Sequence, residues 1–408
     1  MVLANIKPPK NLGLWLIGIL MILVPVQYYA DPYFGLSASR ISQQQIFQVV
    51  ALGLFAIFLL NNIYMSLFMM WSLFLYAYFG FPLPVGVSVL TIVSGCLIYE
   101  AVYRVVNKDN IDLLFKFFMW FAVANLIYMV MQGFGGELLF REVSAPTGYQ
   151  PYMLGFMCLK AIMAMFFAMA IPFVAFKYPV VALGLFVPIY ISDCSAAMGG
   201  AIVAYLWQIW HISKKWFFIL LTLMSIGGVI YAAHDSKMGM FTDRMNLWKV
   251  VLRDAVQRPI IGWGPDSFRC VTPYKQFMYF KNNRTLDSSQ IDVRDTIEYT
   301  HTGKYDMGKY GSFMQDSDTL DPWDNPHNEY VQLFYEFGVL GLIILGFMVY
   351  DIKKRFTATK PYLIPLSGFL ISVAIMSIGQ FPFHLARVGF YIPIFIACYY
   401  KLSEKEVV

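Results

Sequence analysis

The sequence predicts an all-helical membrane protein that crosses the bilayer many times and carries one large polar loop late in the chain. Three observations point there. Of 408 residues 59% are apolar and only 13% charged, with a mean hydropathy of +0.59, a balance foreign to ordinary soluble proteins. Aromatic residues reach 18% and there are 23 methionines, as expected of helices packed in lipid with Trp and Tyr at the interfaces. Apolar runs near the length a bilayer requires recur along the chain, except between 234 and 327. The net charge of +5 implies no nucleic-acid partner, because Lys and Arg collect in short loops where they set orientation. Five scattered cysteines suggest neither a disulfide framework nor a zinc site.

Taken in order, the apolar runs give about twelve spans, at 12–30, 44–60, 62–80, 85–106, 111–132, 151–176, 179–193, 195–212, 215–233, 328–350, 361–380 and 385–401. The chain then divides into an N-terminal bundle of about nine helices (1–233), an outer loop subdomain (234–327) and about three closing helices (328–408). Lys7 and Lys10 precede a first run that reads as a retained span and not a cleaved signal. With that end inside, Arg104 and Lys108, Lys177, Lys214 and Lys215, Lys353 to Arg355, and Lys401 and Lys405 all fall inside too, so both termini are expected in the cytoplasm. Charges within the spans are few, Lys160 being the deepest and Glu100 and Asp112 lying near inner ends. Proton-coupled transport would want more of them at mid-depth.

The outer loop opens with a predicted helix from Thr242 or Asp243, either serving as cap, to Arg258 before Pro259. Gly262, Gly264 and Pro265 form the turn that follows. Arg244 and Trp248 lie one turn apart on this helix. An arginine at a helix start suits a phosphate or diphosphate, although pairing with Asp243 or a lipid headgroup is the plainer reading. Residues 282–324 read as irregular, with a weak strand near Ile297 to Tyr299. Asp316 and Asp318 resemble the metal-binding pair of sugar-nucleotide glycosyltransferases. In a segment that also holds Asp321 and Asp324 a solvated acidic loop explains them better, and no metal or cofactor is expected. No nucleophile elbow or Walker loop is present.

At the end of the loop Asn325 and Pro326 read as cap and first residue of a helix, which puts His327, Asn328 and Glu329 in its first turn. The positive end of a helix disfavours a protonated imidazole, and a neutral histidine beside an anion site can act as a base. Taken alone, His327 is more simply an interfacial cap.

Pro326, His327 and Asn328, followed at matching offsets by Glu336, Gly338 and Gly341, resemble the signature of the O-antigen ligase and polymerase superfamily of bacterial membrane proteins. Arg244, Trp248, Arg258-Pro259, Gly262, Gly264-Pro265 and Phe268 are similar to that family's periplasmic helix and its exit turn. The resemblance implies a GT-C-type glycosyltransferase of the bacterial inner membrane with its active face in the periplasm. Such an enzyme takes a glycan from an undecaprenyl-diphosphate carrier and passes it to a hydroxyl of a lipid or protein acceptor, inverting the anomeric centre without metal or cofactor. By that resemblance His327 and Arg244 are the catalytic pair. Trp248, Asn328, His384, Arg141, Arg284 and Arg387 are candidates for holding substrate or diphosphate. Pro326, Glu336, Gly338 and Gly341 form the structural part of the motif, the two glycines permitting close helix packing. The shared motifs do not separate a ligase from a repeat-unit polymerase or a pilin-type protein O-oligosaccharyltransferase, and a lipid-linked glycan flippase is the reading from another class. One departure stands out: where relatives often place a Ser-Arg pair, this chain has Ser192, Asp193 and Cys194, so either another arginine, from among Arg141, Arg284 and Arg387, holds the diphosphate or the donor site differs.

Overall fold

The computed structural model describes residues 12–23, 62–79, 83–134, 160–192, 194–223, 238–265, 267–268, 326–355, 360–380, 382–384 and 386–404. Among them every regular element is a helix: α1 (Leu12–Leu23), α2 (Ile63–Phe79), α3 (Leu83–Val105), α4 (Ile111–Gly133), α5 (Lys160–Lys177), α6 (Pro179–Gly184), α7 (Phe186–Ile191), α8 (Ser195–Ile212), α9 (214–223), α10 (Met238–Ala255), α11 (Glu329–Arg355), α12 (Leu363–Met376), a short 3-10 turn (Pro382–His384), α13 (Ala386–Gly389) and α14 (Tyr391–Ser403). Two of these, α4 and α11, are long and apolar enough to cross a membrane. The span expected at 44–60 and the strand expected near Ile297 lie outside the described residues. The span expected as one helix at 179–193 is two, α6 and α7, parted at Leu185. Pro188 accounts for the break: it has no N–H for the Gly184 carbonyl, and its ring would strike that carbonyl in a continuous helix.

The helices fall into two compact units, one drawn from 1–59, 97–232 and 352–408, the other from 60–96 and 233–351. In the first, rings from four helices interlock, with Phe118 4.8 Å from Tyr391 and Phe173 4.6 Å from Phe395 between centroids. Helices in lipid gain little from apolar contact alone, so close approach and polar ties decide their pairing. A Cβ on Gly200 would stand 2.8 Å from the Ser372 carbonyl, which is how near α8 and α12 run. Ser372 Oγ donates to the Ala168 carbonyl at 3.0 Å, Gln208 Nε2 to that of Ile364 at 3.0 Å, and the Tyr391 hydroxyl to that of Met21 at 2.6 Å. Glu100, fully buried, is answered one turn on by Arg104 at 2.8 Å.

The second unit is built on a broken helix. At Gly338, φ 62° and ψ −168° interrupt α11. The amides of Val339 and Leu340, which a continuous helix would direct at Tyr335 and Glu336, donate instead to the carbonyls of Pro259 (2.8 Å) and Ile260 (3.3 Å). The released carbonyls of Tyr335 and Glu336 accept from the amides of Trp263 and Gly264, both at 2.9 Å, and that of Phe337 accepts from Trp71 Nε1 at 3.2 Å. Four backbone groups released by the break are thus re-paired, each of which would cost several kcal/mol unpaired in a water-poor setting.

The exchange demands bare backbone on both sides. Gly262 has φ 70°, and a Cβ there would stand 2.6 Å from the Glu336 carbonyl; a Cβ on Gly338 would overlap the Ile260 carbonyl and lie 2.6 Å from the Gly262 amide. Gly338 therefore differs from the helix-packing role expected of it. A Cβ on Gly341 would overlap the Phe337 side chain one turn back on the same helix and lie 3.4 Å from Trp71 Nε1. Around the junction Leu75, Val251, Trp263, Phe268, Tyr335 and Phe337 form a buried cluster. Trp263 stacks on Tyr335 at 6.0 Å, donates from Nε1 to the Asp254 carbonyl at 3.0 Å, and carries the Arg258 guanidinium 4.3 Å above its ring.

Two glycines of α11 separate these effects. Gly338→Ala is expected to lower stability by about 3 kcal/mol or more, combining left-handed strain with lost hydrogen bonds. Gly346→Ala, whose Cβ would meet nothing within 4 Å, is expected to be neutral or to gain up to about 1 kcal/mol of helix propensity. Thermal unfolding of the two variants in detergent measures the contrast.

Candidate functional site

The polar entry to α11 differs from the expected one. The helix begins at Glu329, and Asn328 is its N-cap: Asn328 Oδ1 accepts from the Val331 amide at 3.1 Å and its carbonyl from the Gln332 amide at 3.0 Å. Pro326 is not the first helical residue, because His327 has φ 49° and so cannot belong to a right-handed helix. Among the described residues His327 alone combines a side chain with positive φ. That conformation costs an L-residue on the order of 1–2 kcal/mol, and it persists only where the surroundings over-determine it. Here both flanks are held. Asn328 is locked as a cap, and Pro326, whose ring fixes its own φ, has its carbonyl bound by Trp248 Nε1 at 2.8 Å. The His327 ring is half-buried, with Nδ1 enclosed by protein.

Trp248 belongs to α10, which is already helical at Met238 and ends at Ala255. Arg244 therefore sits in the second turn and not at the helix start, so the dipole argument for it lapses, since that effect is confined to the terminal turn. Thr242 and Asp243 lie inside the helix and do not cap it. The expected end at Arg258 also moves back. After Ala255 the chain tightens, Gln257 N bonding Asp254 O at 3.2 Å and Arg258 N bonding Ala255 O at 3.0 Å, to reach Pro259. Arg244 is half-buried, one turn from Trp248. A hydrogen bond from Trp248 to Pro326 thus joins the two stretches that stand far apart in sequence.

Below the cap, α11 buries a polar face. Glu329 and Glu336 are 0% and 1% exposed, and Gln332 Nε2 donates to Glu336 Oε1 at 3.0 Å. Since the Glu336 carbonyl also receives Gly264, this residue belongs to the junction at Gly338 as much as to the site. An open recess of about 390 Å³ beside that junction is lined by Tyr78, Arg258, Pro259, Ile260 and Ile261, without His327 or Arg244. His384 lies in the Pro382–His384 turn and Arg387 on α13, with only their backbones described. Arg141, Arg284, Asp193, Asp316 and Asp318 lie outside the described residues. Among the described residues no group of three or more His, Cys, Asp or Glu is placed to hold a metal ion.

The comparison with known families bears on this arrangement. The family model described as O-antigen ligase matches residues 152–346. This region is an O-antigen ligase domain. The domain reaches from before α5 to part-way along α11 and takes in Arg244, Trp248, Pro326, His327, Asn328, Glu336, Gly338 and Gly341. Arg141, His384 and Arg387 fall beyond its ends. The match and the apolar helices point to an integral membrane protein of glycosyltransferase-like type. No curated protein matches the chain.

Three residues missing from the sequence-based site matter structurally: Trp71, Gly262 and Trp263. Gly262 and Gly264 are visible in the sequence as a turn, but their partner is the distant α11. The strain at His327 can be read directly. His327→Asn, which tolerates left-handed φ, is expected to melt close to wild type, and His327→Gly at or above it. The β-branched His327→Val is expected to lose on the order of 1–2 kcal/mol. Thermal midpoints in detergent decide the order.

Proposed function

We propose that the chain is a glycan ligase acting on the periplasmic face of a bacterial inner membrane. It moves a saccharide from an undecaprenyl-diphosphate carrier to a hydroxyl on a lipid or protein acceptor. The observation that carries this reading is His327 held in a left-handed turn and tied through Pro326 to the helix of Arg244, inside an O-antigen ligase domain.

The reaction follows from these parts. With Nδ1 enclosed, His327 uses Nε2 as general base and takes the proton of the acceptor hydroxyl. The acceptor oxygen bonds to the anomeric carbon as the bond from that carbon to the diphosphate oxygen breaks, and the electron pair leaves with undecaprenyl diphosphate. Direct displacement inverts the anomeric configuration. Arg244 faces the charge growing on the leaving diphosphate, where a fixed cation in a water-poor cleft is worth most. A further arginine shares that load, Arg141, Arg284 and Arg387 being the choices, since Asp193 stands where relatives carry one. No metal or cofactor takes part in this scheme.

Deletion in the source bacterium separates the variants of the reading. Unattached long glycan on the carrier identifies a ligase, attached single repeats identify a polymerase, and an unchanged surface glycan contradicts both. His327→Asn and Arg244→Ala are expected to reproduce the deletion at normal protein level. Loss of a general base alone lowers transfer by about 10²- to 10⁴-fold. A transporter would have no need of the imidazole, so full activity in His327→Asn overturns the mechanism.

A further inference from the structure

We infer that Trp248 is a positioning residue for His327, acting through the Pro326 carbonyl, and not a contact for the lipid diphosphate. The inference rests on the role of His327 proposed above. The backbone at His327 has two neighbours that can move it, the peptide plane before it and the one after. The second is held by the Asn328 cap. In the first, Pro326 has a fixed φ and no N–H, so the freedom left is rotation about its ψ, which swings its carbonyl. Trp248 Nε1 holds that carbonyl at 2.8 Å. The φ of 49° at His327 is measured from this very plane, so the indole fixes one side of the strained torsion and Asn328 the other.

The alternative role fits the geometry less well. An indole has a single N–H, and here it is spent on protein backbone, leaving none for a phosphate oxygen. Trp248 belongs to a helix whose C-terminal half packs into the buried cluster through Val251 and Ala255, so its position is set by the protein interior. Without the hydrogen bond the ordinary preference of an L-residue for negative φ is no longer opposed from the Pro326 side. The 326–327 peptide then turns over, and the imidazole leaves the place from which it meets the acceptor. The backbone can relax in this way while the fold stays intact.

The test replaces the N–H and nothing else. Benzothienylalanine, which has sulfur in place of the indole N–H, is incorporated at position 248 of the full-length protein, with Trp248→Phe as a second variant. Each is assayed in wild-type and His327→Asn backgrounds with undecaprenyl-diphosphate-linked glycan extracted from the source bacterium. Membranes of the deletion strain supply the acceptor, and release of undecaprenyl diphosphate is followed. With His327 present, kcat is expected to fall about tenfold while KM for the donor stays within about twofold, the pattern of a lost transition-state arrangement. In the His327→Asn background the Trp248 change should add no further loss, because the group it positions is gone. A raised KM with kcat kept would identify a donor contact and overturn the inference. So would an unchanged kcat, or a loss that repeats in full without the imidazole. Wild-type turnover in His327→Asn alone would remove the proposed role of His327, and this inference with it.

Discussion

The exchange of backbone hydrogen bonds at Gly338 is the constraint on which the second unit depends. A helix cannot simply stop in apolar surroundings, because each amide and carbonyl it releases must find a partner. Here the partners are supplied by the turn from Pro259 to Gly264 and by the indole of Trp71. The turn is held in place as firmly as the helix is broken, and each requires a glycine in the other. Trp263, seated between Asp254, Tyr335 and Arg258, anchors the turn in the hydrophobic cluster, so α2, α10 and α11 meet at one point. The result is a rigid base from which the first part of α11 rises.

What stands on that base is a strained residue, His327. The entry to α11 is assembled from small constraints that agree: a proline with one free torsion, an indole N–H on its carbonyl, and an asparagine that caps the helix. Between them His327 is held where few histidines sit. Backbone strain of this kind persists where neighbouring structure enforces it, and it is concentrated at sites that do chemistry. On the function proposed above, the strain has a purpose: it would set a base in advance against an acceptor hydroxyl, near a helix that carries a half-buried arginine. Preorganisation of the group that reacts avoids rearranging it at the moment of reaction.

Much of this was legible in the sequence, and the parts that were not share a physical reason. The ends of α3, α4 and α8 lie close to the expected ones because apolar runs there are bounded by charged or turn-forming residues. The run at 179–193 hid its break, since Pro188 is itself apolar and hydropathy does not register a missing N–H. Asn325 and Pro326 carried a plausible helix start, yet the helix waits until Glu329, because positive φ at His327 comes from neighbours that include Trp248, far away in the chain. Thr242 and Asp243 look like caps and so suggest a helix start at Arg244; the helix runs through them from Met238. The His327 and Arg244–Trp248 motifs were each visible, and so were the glycines at 262, 264 and 338. That Trp248 meets Pro326, and that Gly262 meets Gly338, are long-range pairings that no local pattern encodes.

The central claim is that the chain transfers a glycan and does not merely move one across the bilayer, and a doubly labelled donor addresses it most directly. Purified protein reconstituted in vesicles receives undecaprenyl-diphosphate-linked glycan carrying one label in the saccharide and another in the prenyl chain, together with acceptor from the deletion strain. Transfer predicts that the two labels separate in equal amounts, the saccharide appearing on the acceptor with inverted linkage and the prenyl label in free undecaprenyl diphosphate. Labels that stay joined while the intact lipid changes leaflet would contradict it.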